Sequence, residues 1–132
     1  MSTFKSSTRI KRPANEIYDF LADMNNHERL APEEEITDWS STVDEASFTV
    51  RNILKLSLKM GERVPNKEIK LIPAAKPPFD IEMKWELSVD GEYTDVIFTI
   101  KAELNMMLKM VASAPLQKLA EDESASLFNL LH

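Results

Sequence analysis

The chain has no cysteine and only two glycines, Gly61 and Gly91, in 132 residues. Without thiols, a secreted disulfide scaffold, thiol catalysis and Cys-ligated metal are all excluded. Two isolated glycines build no phosphate-cradling glycine-rich loop. Basic residues are in deficit, 16 Lys and Arg against 22 Asp and Glu, for a net charge of −6. Nucleic acid is therefore not an expected partner, because phosphate backbones are bound through clustered Lys and Arg that release counterions. The same deficit argues against an anionic membrane surface. No apolar run approaches the roughly 18 residues that span a bilayer, so stable membrane insertion is not expected either. Histidine is scarce as well. His27 lies in a short polar stretch beside Glu28 and is expected on the surface, and His132 is the last residue. No second ligand stands at metal spacing, and neither metal nor cofactor is expected.

What remains is an ordinary globular composition, 43% hydrophobic and 29% charged, in one domain spanning residues 1–132. The N-terminus carries Lys5, Arg9, Lys11 and Arg12 among Ser and Thr but lacks the apolar stretch of a secretory signal. Phe4, Ser6, Thr8 and Ile10 alternate there with Lys5, Ser7, Arg9 and Lys11, as in an edge strand. The expected compartment is the cytoplasm.

In RPANEIYDFLADM, Pro13 suits a helix start, and Ile17, Phe20, Leu21 and Met24 form one apolar face. A second short helix, about Asn26 to Ala31, stops at Pro32, and Glu33, Glu34 and Glu35 read as a solvated loop. The period then switches to two. Ala46, Phe48 and Val50 share a face; Leu54, Leu56, Leu58 and Met60 follow a short connection at Asn52–Ile53; Ile69 and Leu71 precede Pro73. FDIEMKWELSV alternates from Phe79 to Val89, Asp90–Gly91 signals a hairpin, and Val96, Phe98, Ile100, Ala102 and Leu104 alternate again. Ile36 and Trp39 cannot share one face of a regular strand, so a bulge or strand end lies between them. From Asn105, a suitable N-cap, to Leu131 the chain is helical, with Leu116, Ala120, Leu127 and Leu131 as a stripe and Pro115 as a kink. The expected class is α+β: a curved antiparallel sheet of six to seven strands wrapped round a long C-terminal helix, with two short helices after the first strand.

The opening strand running into RPANEIYDFLAD, the pair Asp38–Trp39, and the ending AELNMMLKMVASAPLQKL resemble the helix-grip fold of the START-like (SRPBCC) superfamily. That superfamily includes the pollen-allergen type, polyketide cyclases and coenzyme-Q-binding proteins, and the ending is similar to uncharacterised bacterial members. The glycine-rich loop of the pollen-allergen type is replaced here by SSTVDEAS. The resemblance implies binding or carriage of a small hydrophobic ligand, such as a lipid, an isoprenoid or quinone, or a polyketide-like compound, between sheet and last helix. It leaves open a cyclase or dehydratase using the same cavity, and a protein-interaction module such as a chaperone activator or toxin.

On that reading Phe48, Leu56, Leu58, Met83, Trp85, Phe98 and Ile100 line the sheet side of a cavity. Met107, Met110 and Val111 form a movable wall on the helix side, since methionine repacks readily. Ser6 and Thr8 are candidates to bind a ligand's polar end. No catalytic residue is assigned: no serine has a nucleophile elbow or an evident base, and Asp38 is the one acid worth testing in a proton-transfer role. An enzyme should show a buried acid–base pair in the cavity, a carrier apolar walls with one or two hydrogen-bonding groups, and an interaction module a filled core with an exposed apolar patch.

Overall fold

A computed structural model describes residues 1–132 apart from 53 and 78; the connection at Asn52–Ile53 thus lies partly outside the described residues. The element order is β1 (Ser2–Ile10), α1 (Ala14–Leu21), α2 (Met24–His27), β2 (Ile36–Ser41), β3 (Glu45–Val50), β4 (Leu54–Val64), β5 (Glu68–Pro73), β6 (Ile81–Asp90), β7 (Tyr93–Ala102) and α3 (Met106–Leu131). Among the described residues, seven strands join one antiparallel sheet in the order β1-β7-β6-β5-β4-β3-β2, curled into a half-barrel. The fold is the α+β helix-grip arrangement expected.

Alternation decides which side of each strand is buried. Met83, Trp85 and Leu87 of β6 pair with Ile100, Phe98 and Val96 of β7, and all six are buried. Side chains of one parity lie on one face of a strand, so a single register fixes the whole inner wall. The pattern fails at strand ends, at irregularities, and at Thr99, which is buried on the outer parity of β7. Val89 is exposed near the β6–β7 turn, and Met60 is half-buried where the β4–β5 register shifts. The bulge between Ile36 and Trp39 is present as a register shift between Thr37 and Ser40, with Asp38 at φ 56°.

Asn105 caps α3 by accepting from the Leu108 amide at 2.9 Å. The helix then runs alongside β1: the Gln117 side chain donates to the Lys5 carbonyl, Ser6 Oγ to that of Ala120, and Arg12 Nε to that of Leu131. One edge of the sheet is thereby covered by the helix, and β2 at the other edge is broken by its bulge; both devices protect unpaired backbone. Ala112, Leu116, Leu119, Ala120 and Leu127 form the buried face of α3. Among the described residues no helix is long and apolar enough to cross a membrane.

Candidate functional site

The interior between sheet and α3 is nearly closed. A cavity of about 10 Å³ remains, lined by Met24, His27, Ala31, Ile36, Trp39, Phe48, Leu58, Leu71, Met83, Leu119 and Glu123. That is room for about one water. A larger depression, about 900 Å³, lies elsewhere, at the β4–β5 turn with Asn66, Lys67 and Glu86. It is an open surface contour with a mixed lining, whereas the small cavity holds the unusual chemistry.

Glu123 sits on the buried face of α3 and is 7% exposed. Burial pushes its carboxyl up from 4.5 to about 8, with Asp122 next to it adding to the rise. Among the described residues no hydrogen bond or opposite charge offsets this, so the group is protonated at neutral pH. His27, 2% exposed, faces the same cavity. Its Nε2 lies 2.8 Å from the Leu21 carbonyl. A carbonyl only accepts, so Nε2 carries the proton and Nδ1 keeps its lone pair. Burial lowers the His27 pKa, and the Leu21 bond only partly opposes that. The ring also meets Trp85 edge-on, with centroids 6.3 Å apart. The surface position expected for His27 is therefore corrected: it lies with Met24 and Ala31 at i−3 and i+4, on the inner face of its turn.

Trp39 closes the cavity toward solvent. Its ring stacks on Phe48 at 5.1 Å, and its Nε1 is buried without a partner. On its outer side is a surface hollow of about 180 Å³ lined by Glu28, Ala31, Glu33, Ile36, Thr37, Asp38 and Trp39. Ala31, Ile36 and Trp39 line both spaces, so the indole and its two neighbours form the partition between them. The bulge at Asp38 turns Trp39 inward at an edge strand. Nearby, Glu35 is buried and paired with Arg51, which holds its carboxyl below the usual range. The solvated loop expected for Glu33 to Glu35 does not extend to Glu35.

Of the expected lining, Phe48, Leu58 and Met83 face the cavity. Leu56, Trp85, Phe98 and Ile100 are buried in the core beyond it, with Trp85 stacked on Phe98 at 4.1 Å. The helix side differs. Met107 is 76% exposed, Met110 83%, and Val111 46%. At about 100° per residue, Met107 is about 180° round the helix from Leu116, so its side chain points away from the sheet. The helical wall is instead supplied by Leu119 and Glu123. Ser6 is committed to the Ala120 carbonyl and to Ser124, and with Thr8 it lines an outer groove between β1 and α3. Asp38 is exposed and borders the outer hollow.

No protein-family model matches the chain, and no curated protein does. Solved structures do. A START superfamily protein from Mycobacterium smegmatis superposes with a TM-score of 0.67 at 14% identity, covering 97% of this chain and 98% of that one. The chain has a START-like fold. The Aha1 dimer from Colwellia psychrerythraea gives a TM-score of 0.70 at 19% identity over 99% of this chain and 96% of that one. A Thermus thermophilus protein gives 0.77 at 14% over 98% and 97%. Such identities speak for the START-like fold alone.

Proposed function

We propose that this domain binds and carries a small, largely apolar molecule of the lipid, isoprenoid, quinone or polyketide-like kind between the sheet and α3. The observation that supports this reading is a cavity whose wall is apolar except for Glu123, His27 and Trp39. Glu123 is buried with a carboxyl raised to about 8, His27 is buried with Nε2 on the Leu21 carbonyl, and the indole N–H of Trp39 is buried without a partner. Unpaired buried polar groups cost stability, and a ligand that supplies their partners gives that cost a purpose.

A ligand-sized site needs roughly 300 Å³ or more, so loading requires a side chain to move. Trp39 is the economical choice, because its displacement joins the interior to the outer hollow. Trp39→Ala is expected to raise the association rate of an apolar fluorescent probe about tenfold in stopped-flow measurements, a change of about 1.4 kcal/mol in barrier. An unchanged rate would place access elsewhere.

A second reading, a protein-interaction module, is favoured by the patch of Met106, Met107, Met110 and Val111, which are exposed together at the start of α3 above a nearly filled core. It leaves the buried Glu123 and His27 without a role. Those groups also meet the mark of an acid–base enzyme. Deuterium uptake beside the carbonyl of a bound ketone in D₂O would register such chemistry.

A further inference from the structure

We infer that the polar end of the ligand is an uncharged, hydrogen-bond-accepting oxygen, as in a ketone, quinone, ester or amide, and that Glu123 donates to it from its protonated carboxyl. This rests on the interior-binding reading above and narrows its ligand class.

The chemistry of the lining decides among three kinds of polar end. None of the described residues lining the cavity is Lys or Arg. A ligand carboxylate would enter without a counter-charge and would face a second carboxyl at Glu123, which like-charge repulsion opposes. An ammonium only donates. It would find one acceptor, the Nδ1 of His27, but would meet two donors, the Glu123 O–H and the Trp39 N–H, and would bury a charge inside an apolar wall of Leu58, Leu71, Met83 and Leu119 unless Glu123 ionised. A neutral oxygen that accepts satisfies Glu123 and Trp39 without burying charge, and a carbonyl, unlike a hydroxyl, brings no proton of its own that would need the His27 Nδ1. The imidazole of His27, neutral through burial, adds no charge to the site.

The other charged groups near Glu123 are already matched. Asp122, beside it on α3, pairs with Lys118 at 2.7 Å, and Glu35 pairs with Arg51. Glu123 is therefore the group whose titration changes the character of the cavity. Below about pH 8 it donates; above, it becomes a carboxylate that repels an acceptor oxygen.

The test is displacement of an apolar fluorescent probe by octan-2-one, octanoate, octylamine and octane at about pH 7 and about pH 9.5, with wild type and Glu123→Gln. The amide is a donor at every pH. Octan-2-one is expected to outbind octanoate and octylamine at pH 7 by about tenfold, roughly the worth of one buried hydrogen bond, and to weaken by a similar factor at the higher pH. In Glu123→Gln the ketone should keep its affinity and lose its pH dependence. Equal binding of ketone and octanoate, preference for octylamine, or a flat wild-type profile overturns the inference while leaving the interior site standing. Absence of binding by the probe and by all four compounds overturns both. The wild-type profile decides the matter even if the variant does not fold.

Discussion

Trp85→Ala is expected to lower folding stability by about 3–5 kcal/mol, the range for deleting a large buried aromatic. Trp85 is fully buried at the centre of β6 and opposes Phe98 on β7 and Ile69 on β5. Its stack on Phe98 and edge contact with His27 tie the sheet to the α2 turn. Removal leaves a cavity that neither rigid sheet nor capped helix can close. Trp85→Phe separates two contributions. The Trp85 indole N–H is buried without a partner, so the smaller ring removes an unpaired donor while keeping most of the contact. Its cost should be well below that of the alanine variant, because less volume is lost and an unpaired donor goes with it. Urea denaturation of both variants checks this; a Trp85→Ala cost below about 1 kcal/mol would mean that the inner face of β6 is not the core.

Glu123→Leu should act in the opposite direction. The Glu123 pKa is about 8 in the folded protein against an ordinary glutamate value of 4.5. Between those values the native state holds a proton that the unfolded chain has released, so stability falls as pH rises through this window. The penalty is absent below about pH 4.5 and complete above about pH 8. At about 1.4 kcal/mol per pH unit, it reaches about 3 kcal/mol at pH 7. Leucine removes the penalty, so the variant should be more stable than wild type at pH 7 by up to that amount, and the gain should grow toward pH 8. His27 contributes the reverse slope in both proteins. Its folded pKa lies below 6.5, so stability is lost as pH falls below that value, where the unfolded chain takes up the proton first. Denaturation midpoints across this range would show wild type falling from about pH 6.5 to about pH 8 and the variant flat. A gain in stability coupled to loss of ketone preference would mark Glu123 as kept for binding at the expense of folding.

The sheet was legible because period two is unforgiving. Once Trp85 is inward, Met83, Leu87, Phe98 and Ile100 follow from pleat and register, and the misfit of Ile36 with Trp39 called for a bulge or a strand end, of which the structure has a register shift. The helical wall was misread for a physical reason. Methionine's adaptability and the nearby Pro115 suggested a moving lid, yet the 3.6-residue period already put Met107 opposite Leu116. The signal for Glu123 was also present: Leu116, Ala120, Glu123 and Leu127 are spaced by four, three and four, so an acid occupies a stripe position. His27 occupies the same kind of place after Met24. A charged residue on an apolar stripe reads locally as an interruption. Only the sheet packed across from it makes it a buried, unpaired group. The role of Trp39 as a partition depends on the hollow beyond it, which no local pattern encodes.

Methionine methyl groups offer the most direct measurement of where a ligand binds. The chain carries Met24 and Met83 on the cavity wall, Met60 half-buried, and Met106, Met107 and Met110 exposed on α3. With ¹³C-methyl-methionine labelling, titration by octan-2-one should shift the Met24 and Met83 resonances and leave Met106, Met107 and Met110 in place. Shifts confined to the three exposed methionines, with Met24 and Met83 unmoved, would contradict interior binding and give the outer face of α3 the functional role instead.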